Sequence, residues 1–568
     1  MIGLFAVTAA GRRSAAELAG RLGPDAVVAD GPIAPAVRRL WDHLDAAVFF
    51  LASGAAVRLV APLLRDKHSD PGVVCVDDDR RFAIALTGGH VGGALAEQVA
   101  DVLGCTPVVT AASDSTGTTP LDELVDQLDA TVDGDLAACG GAILDGWSVR
   151  LVNPHGFPLP ALPPNVSAHP EAPLWTVVID DRRPTEDEER TLRLIPRTLV
   201  VGVGAARGVS RTAVTETIAR LDREHGLDPR AIRAVASVDL KADEDGILEA
   251  VQDLGFWHSD GGEELSLLTY SAEALAGIEV PNPSEVASAA AGTPSVAEAS
   301  ALRAAAELGG GAPVELVVPK IKGDDVTAAA ARIRPRGRLA IIGIGPGNPA
   351  LRTPRADVEL RRASVVVGPD EHVDQVRHLL RPGTEVRATG GAEAVALARE
   401  GRAVALIGGS AMAGPALAEA GADIELVGVP GVTAPLAASA LLGGPLGHDH
   451  ALISLSDAHT PWEVIERRVR AAAEADLVVC FHDPRSGDRR LGRALEILAE
   501  HRPGATPVGA VRGAGRAGER VWCAPIADFD PAEADESTTV VVGTSQSTVV
   551  DGRMVTPRGS QPVPADAR

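Results

Sequence analysis

The feature that most constrains this chain is its alternation of short, unbroken apolar runs with long stretches rich in Ala, Glu and Arg. Val48-Phe49-Phe50-Leu51, Leu199-Val200-Val201, Leu339-Ala340-Ile341-Ile342 and Val404-Ala405-Leu406-Ile407 show no polar alternation, so they read as strands buried on both faces. Helices between such strands cover mainly parallel sheets, which makes the fold class α/β. Helix starts are legible locally. Thr460-Pro461-Trp462-Glu463 offers a hydroxyl at the N-cap, proline at the first helical position and Glu at the third. Ser295-Val296-Ala297-Glu298 is a second capping box, and Gly309-Gly310-Gly311 ends its helix. A length of 568 residues implies about three to five domains.

Composition excludes several function classes. A formal charge of −24 repels phosphate backbones and anionic lipid, so nucleic acid and membrane surfaces are poor partners. Aromatic residues are only 3%, so a large planar ligand must be held mostly by backbone and aliphatic contacts. The 5 cysteines include no Cys-x-x-Cys pair, which argues against a disulfide framework or zinc ribbon and fits a reducing cytoplasm. Met1-Ile2-Gly3-Leu4-Phe5-Ala6-Val7 lacks a basic flank and reads as a first strand rather than a signal peptide. The longest uncharged apolar stretch, residues 46–57, is too short to span a bilayer.

Two breaks divide the chain. Residues 154–173 are rich in Pro and His, precede the charged run 180–190, and read as a small, loop-rich connecting module. Residues 322–338, rich in Arg and Asp, read as a linker or short helix. The polar tail beyond Gly559 is expected to be disordered.

Each half carries a glycine-rich strand–turn–helix. Val201-Gly202-Val203-Gly204-Ala205-Ala206-Arg207-Gly208 brings its third glycine one residue late for a dinucleotide fingerprint, and no acidic residue follows at the required distance. It is either an anion-facing helix start or a turn of purely structural meaning. In Gly343-Ile344-Gly345-Pro346-Gly347-Asn348-Pro349, Asn348 replaces the third glycine, which points to a different backbone-lined pocket. Neither turn continues into Gly-Lys-Ser/Thr, so no phosphate loop of the nucleotide-triphosphatase kind is present.

The second turn, continued through Leu351-Arg352-Thr353, resembles the opening signature of the tetrapyrrole methylases, which bind S-adenosyl-L-methionine. Val429-Pro430-Gly431-Val432-Thr433, Ile453-Ser454-Leu455-Ser456-Asp457, Asp483-Pro484-Arg485-Ser486, Thr538-Thr539-Val540-Val541-Val542-Gly543 and Asp551-Gly552-Arg553-Met554-Val555 follow in the family's order. The segments at 453–462 and 543–559 are similar to precorrin-3B (C-17)-methyltransferase in particular. Two departures stand out. Gly408-Gly409-Ser410-Ala411-Met412-Ala413-Gly414 shortens a loop that in the family helps build the cofactor cleft, and His482-Asp483 replaces a more usual Tyr-Asn.

The N-terminal half resembles cobalt-precorrin-5A hydrolase. The resemblance rests on Thr87-Gly88-Gly89-His90-Val91-Gly92-Gly93-Ala94, Ala236-Ser237-Val238-Asp239-Leu240-Lys241, Val280-Pro281-Asn282-Pro283-Ser284-Glu285, Gly292-Thr293-Pro294-Ser295-Val296-Ala297-Glu298 and Val317-Val318-Pro319-Lys320.

Together the resemblances imply a multidomain chain: hydrolase-like α/β lobes at 1–145 and 196–325 around a module at 146–195, a linker at 326–337, a two-lobed methylase at 338–560 with its break near 445, and a tail at 561–568. They imply a bifunctional cobalamin-biosynthesis enzyme. One half methylates C-17 from S-adenosyl-L-methionine with ring contraction; the other opens the resulting lactone and releases acetaldehyde. Gly345, Pro346, Gly347, Gly431, Val432, Thr433 and Thr539 are the implied cofactor-side residues. Asp457 is a candidate catalytic residue, and Arg485, His459 and Asn282 are candidates for substrate. His90 as general base, with Lys241 and Asp239 binding or stabilising charge, are the hydrolase candidates. Plain alternatives stand beside these: tight turns, a helix-capping Asp457, a backbone-bonded His90 and a solvated Lys241 ion pair. No protein-bound metal is expected, because any cobalt would be carried by the corrinoid substrate; whether that substrate is metal-free or cobalt-loaded is left open. The methylase family implies a homodimer. The competing readings are a tetrapyrrole carrier or scaffold with a degenerate methylase half, and an NAD-dependent oxidoreductase, which both glycine spacings disfavour.

Overall fold

The computed structural model describes residues 1–65, 70–87, 89–110, 118–184, 189–258, 265–285, 292–408, 410–447, 449–456, 460–484 and 489–557. The chain separates into two compact units, Met1–Gly156 with Leu162–Arg334, and Pro335–Arg568 with Phe157–Ala161.

The first unit holds three sheets. Ile2–Ala6, the expected first strand, lies between Ala26–Val28 and Ala46–Phe50, and the sheet continues through Gly72–Val76, Phe82–Thr87 and Thr106–Val108. Its pairs are parallel except Gly72–Val76 with Phe82–Thr87. Ala46–Phe50 and Gly72–Val76 are buried along their whole length, as their unbroken apolar runs require.

Residues 154–173, read as loop-rich, hold only the two-residue strand Val166–Ser167, but the segments that flank them form a sheet. Trp175–Ile179 lies between Val149–Val152 and Thr191–Pro196, and the latter pairs antiparallel with Ala130–Asp133. The sheet therefore draws a strand from residues that the sequence reading assigns to the first domain. The third sheet has the order Ser266–Tyr270, Ile232–Val238, Leu199–Ala205, Val326–Ile333, Val314–Lys322.

The third sheet corrects the linker expectation. Val326–Ile333 is a strand between Leu199–Ala205 and Val314–Lys322, and Ala328, Ala329, Ala330 and Ala331 are fully buried. Alanine is a poor strand former, but here its size decides. Helix Val296–Leu308 packs on this sheet through Ala297, Ala301, Ala304 and Ala305. A Cβ on Gly202 would lie 1.9 Å from the Ala297 carbonyl oxygen, so only glycine permits this approach. Both Gly202 and Gly204 thus lie within the strand and serve helix packing, and the first glycine turn takes its structural meaning.

The charges in this region are buried rather than solvated. The Arg332 Nε and Nη2 atoms donate to both oxygens of fully buried Asp181 at 2.5 and 2.6 Å, and Thr198 Oγ1 donates to Asp181 at 2.7 Å. Asp228, also fully buried, accepts from Arg193 and Arg230.

The second unit has two lobes. The first lobe is a five-stranded parallel sheet in the order Glu385–Arg387, Val365–Val367, Ala403–Ile407, Gly337–Ile342, Ile424–Val429. The second orders His450–Ser454, Val478–His482, Thr538–Val542, Pro507–Arg512 and Arg520–Pro525, with only the first pair parallel. Helix Trp462–Glu474 begins after Pro461, one residue later than Thr460-Pro461 implied, and has no side-chain cap. Among the described residues no helix is long and apolar enough to cross a membrane, and all 5 cysteines are free.

Candidate functional sites

In the first lobe of the second unit, strand order reverses around Gly337–Ile342. The strands beside it are reached by different crossovers, and doubly wound sheets bind ligands at the carboxyl ends of their strands where the order reverses. Two glycine segments meet there. Gly343 follows Gly337–Ile342 and Gly431 follows Ile424–Val429; a Cβ on Gly431 would lie 2.5 Å from the Gly343 carbonyl oxygen, and one on Gly343 would lie 2.6 Å from the Gly431 nitrogen. The turns touch backbone to backbone, which no larger residue allows. Gly345 and Gly347 have φ of +82° and +142°, in the region that favours glycine. Pro346 between them is buried. Thr353 caps helix Pro354–Arg362 and donates its hydroxyl to the Pro430 carbonyl at 3.4 Å, and Thr433 caps helix Ala434–Leu442. The result is a backbone-lined ledge with few ionisable groups, suited to a ligand read by shape and amide contacts.

Of the implied cofactor residues, Gly345, Pro346 and Gly347 lie on one turn and Gly431, Val432 and Thr433 on the other, and the two turns touch at Gly343 and Gly431. Thr539 is buried inside the second lobe's sheet, paired with Val511, and is not among the residues that meet at the turns. Asp457, His459 and Arg485 lie outside the described residues. The 408–414 segment read as a shortened loop is instead largely helical: helix Ser410–Glu419 begins almost at once after Ala403–Ile407.

The second lobe contributes two features that sequence reasoning missed. At the ends of its parallel strands, Asp483 adopts φ +58° and accepts from Ser454 Oγ at 3.0 Å, while His482 Nδ1 lies 2.7 Å from its carboxylate. The hydrogen bond with His482, opposed by burial, holds the Asp483 carboxyl below its ordinary pKa. The His482-Asp483 departure was the available signal. Nearby, Trp462, Arg489, Arg490 and Arg493 line a hollow of about 630 Å³. Arg490 stacks on Trp462 at 6.0 Å, whereas Arg493 is paired with Glu466 and Glu496.

The first unit builds a different site on its third sheet. Lys241 and Asp239 lie on a short turn after Ile232–Val238. The Lys241 ammonium donates to Glu244 at 3.0 Å, and the other Glu244 oxygen accepts from the Gly208 amide at 2.6 Å. The Lys241 hydrogen bond, opposed by partial burial, holds the Glu244 carboxyl below its ordinary pKa. Asp239 is exposed on the same turn.

Asn282 is engaged within the protein. Its side-chain amide donates to Glu298 at 2.8 Å, and its carbonyl accepts from the Lys320 ammonium at 2.6 Å. Fully buried Glu298 also accepts from the Lys320 amide at 3.0 Å. Burial works against the charge, but these hydrogen bonds prevail and lower the Glu298 pKa. The capping-box reading of Glu298 is therefore incomplete: a carboxylate at that position also reaches across to two other family motifs, and Ser295 makes no side-chain cap bond to the helix. His90 falls in the first turn of helix Gly89–Leu103, and its side chain lies outside the described residues.

Among the described residues, one group has metal-ligand composition: His155, Asp180 and Asp181 place ligand atoms within 4.8 Å of one another. Both Asp181 oxygens already face Arg332, so this group is an ion network closed by a cation.

Comparison with known proteins follows the same division. Residues 338–530 match the family of tetrapyrrole (corrin/porphyrin) methylases, and residues 35–114 and 199–331 match the cobalamin synthesis G N-terminal and C-terminus families. The Salmonella typhimurium protein named "Probable cobalt-factor III C(17)-methyltransferase" is 42% identical over 241 residues, covering 39% of this chain and 98% of that protein. The cobalt-precorrin-5A hydrolase of Priestia megaterium is 27% identical over 317 residues, covering 52% of this chain and 80% of that protein. The solved structure of the methyltransferase CobJ is 32% identical, covers 39% of this chain and 100% of its own, and has a TM-score of 0.37.

Proposed function

The chain belongs to the tetrapyrrole methylase family through residues 338–530 and joins that domain to both cobalamin synthesis G domains, and on this footing we propose a bifunctional enzyme of cobalamin biosynthesis. Its C-terminal half methylates C-17 of a precorrin-3B or cobalt-factor type tetrapyrrole with ring contraction. Its N-terminal half opens the lactone of a cobalt-precorrin-5A type intermediate and releases acetaldehyde. The observation that carries the reading is the presence of both family domains in one chain, because the first reaction creates the lactone that the second consumes.

The methyl donor, S-adenosyl-L-methionine, supplies a methyl group already activated at a sulfonium centre. The protein therefore has mainly to align the reactants and exclude water. Gly345, Pro346, Gly347, Gly431, Val432 and Thr433 line the donor side of the crevice. Arg489 and Arg490 offer guanidinium groups to the carboxylates of a polyanionic substrate, locally against the overall charge. In the other half, Lys241 supplies positive charge beside the lactone oxygen, with Glu244 fixing its ammonium.

The test is incubation of the full chain with methyl-labelled S-adenosyl-L-methionine and the C-17-unmethylated precursor, following label and acetaldehyde together. Label transfer and acetaldehyde release from cobalt-precorrin-5A are both expected. A chain that binds tetrapyrrole but transfers no methyl group would be a carrier, and a clean cobalt-precorrin-5A assay without acetaldehyde would remove the hydrolase activity.

A further inference from the structure

The turn that leads from Pro507–Arg512 toward Arg520–Pro525 reaches the glycine ledge of the other lobe. Gly513, Gly515 and Gly518 all have positive φ, and the Arg516 amide donates back to the Gly513 carbonyl at 2.8 Å. Glu519 accepts from the Gly515 amide at 2.7 Å, which closes the turn on itself. The tight loop so formed projects Arg516, whose Nε donates to the Pro346 carbonyl oxygen at 2.9 Å.

The contact is shaped from both sides. A Cβ on Gly347 would lie 2.6 Å from Arg516 Cγ, so the arginine stem occupies the space that glycine leaves open. A Cβ on Gly515 would lie 3.0 Å from the Asn348 Cβ. Glycines in each lobe thus admit the other lobe's chain, and a single hydrogen bond from Arg516 Nε fixes the Pro346 carbonyl.

We propose that Arg516 is a positioning residue for the methyl-donor site: it reaches from the second lobe, holds the Pro346 carbonyl and sets the conformation of the 345–347 turn. The inference rests on the methyltransferase reading above. Residues 343–346 belong to no strand or helix, so this bond and the arginine stem add to the few contacts that fix the turn. The charge is incidental to this role; the donor at Nε and the methylene stem are what matter.

Two substitutions separate these parts. Arg516→Met keeps an apolar stem and loses the donor. Arg516→Gln carries an amide nitrogen at the same distance along the side chain as Nε and has no charge. Calorimetric titration of the full chain with S-adenosyl-L-methionine is expected to show affinity reduced about fivefold to tenfold in Arg516→Met, the size of one lost hydrogen bond. Arg516→Gln is expected to return it to within about twofold of wild type. In turnover the loss falls on KM for the donor while kcat changes little, and thermal midpoints stay together. Equal binding by wild type and Arg516→Met, or equal weakness of the Gln and Met variants, would overturn the proposal. A wild-type chain with no donor binding overturns the methyltransferase reading itself, which keeps the two failures distinct.

Discussion

The two candidate sites are made of different materials. The ledge of the second unit consists of backbone: glycines in contact, a buried proline, and hydroxyls that cap helices. The third sheet of the first unit carries charge instead: Lys241 against Glu244, and Glu298 held by the Asn282 side chain and the Lys320 amide, with Asp181 and Arg332 buried at the opposite end of its strands. The difference follows from the chemistry each must perform. Transfer of an already activated methyl group asks for alignment, whereas lactone opening must move protons and steady an oxyanion. Substitutions that remove charge should therefore damage the first unit, and those that add volume should damage the second.

The largest effect is expected at Asp181. Asp181→Ala leaves the Arg332 guanidinium buried without its partner, and breaking such a pair costs about 3–5 kcal/mol. Denaturant titration should show the first unit's transition move to much lower concentration while methyl transfer at low temperature persists; an unchanged transition would mean the pair contributes nothing net.

Next comes Gly431→Ala. The added methyl cannot fit against the Gly343 carbonyl, the turns must part, and misplacement of this order lowers transfer by about 100-fold. Acetaldehyde release should be untouched. Methyl transfer within twofold of wild type would show the ledge is not the donor site.

Lys241→Met is smaller: lactone opening is expected to slow about tenfold, the size of one lost hydrogen bond, with methyl transfer intact. A mutant that opens the lactone at the wild-type rate would reduce Lys241 to a structural ion pair.

The smallest effect concerns pH. Because the Glu298 pKa is lowered in the fold, its contribution to stability is present above the ordinary carboxylate pKa and is lost as pH falls through the folded value. Glu298→Gln should cost about 1–2 kcal/mol at neutral pH and flatten the acid limb of the stability profile. Parallel acid limbs in mutant and wild type would show that Glu298 is not what titrates.

The α/β class, the first strand and the glycine-turn crevice were legible because unbroken apolar runs and glycine spacing are local signals. The parts that were not legible depend on partners far along the chain. Val326–Ile333 has the composition of a linker, and only the close approach of helix Val296–Leu308 makes alanines the right size for a central strand. Arg332 lies in the stretch read as a linker and Asp181 in a charged run, and only the fold places them together across 151 residues. Glu298 fits a capping box perfectly well in sequence, and its actual use is set by Asn282 and Lys320 on other segments. Arg516 carries no motif at all; its meaning comes from the turn that projects it.

The strand at Val326–Ile333 also decides where this chain can be divided. A gene cut after codon 325 would deliver an N-terminal fragment with two unpaired strand edges, those of Leu199–Ala205 and Val314–Lys322, and would append a greasy alanine segment to the methylase. Such a fragment should precipitate. A cut among codons 334–336 leaves every ladder of both sheets complete, and is where the two activities should be separated for study in isolation.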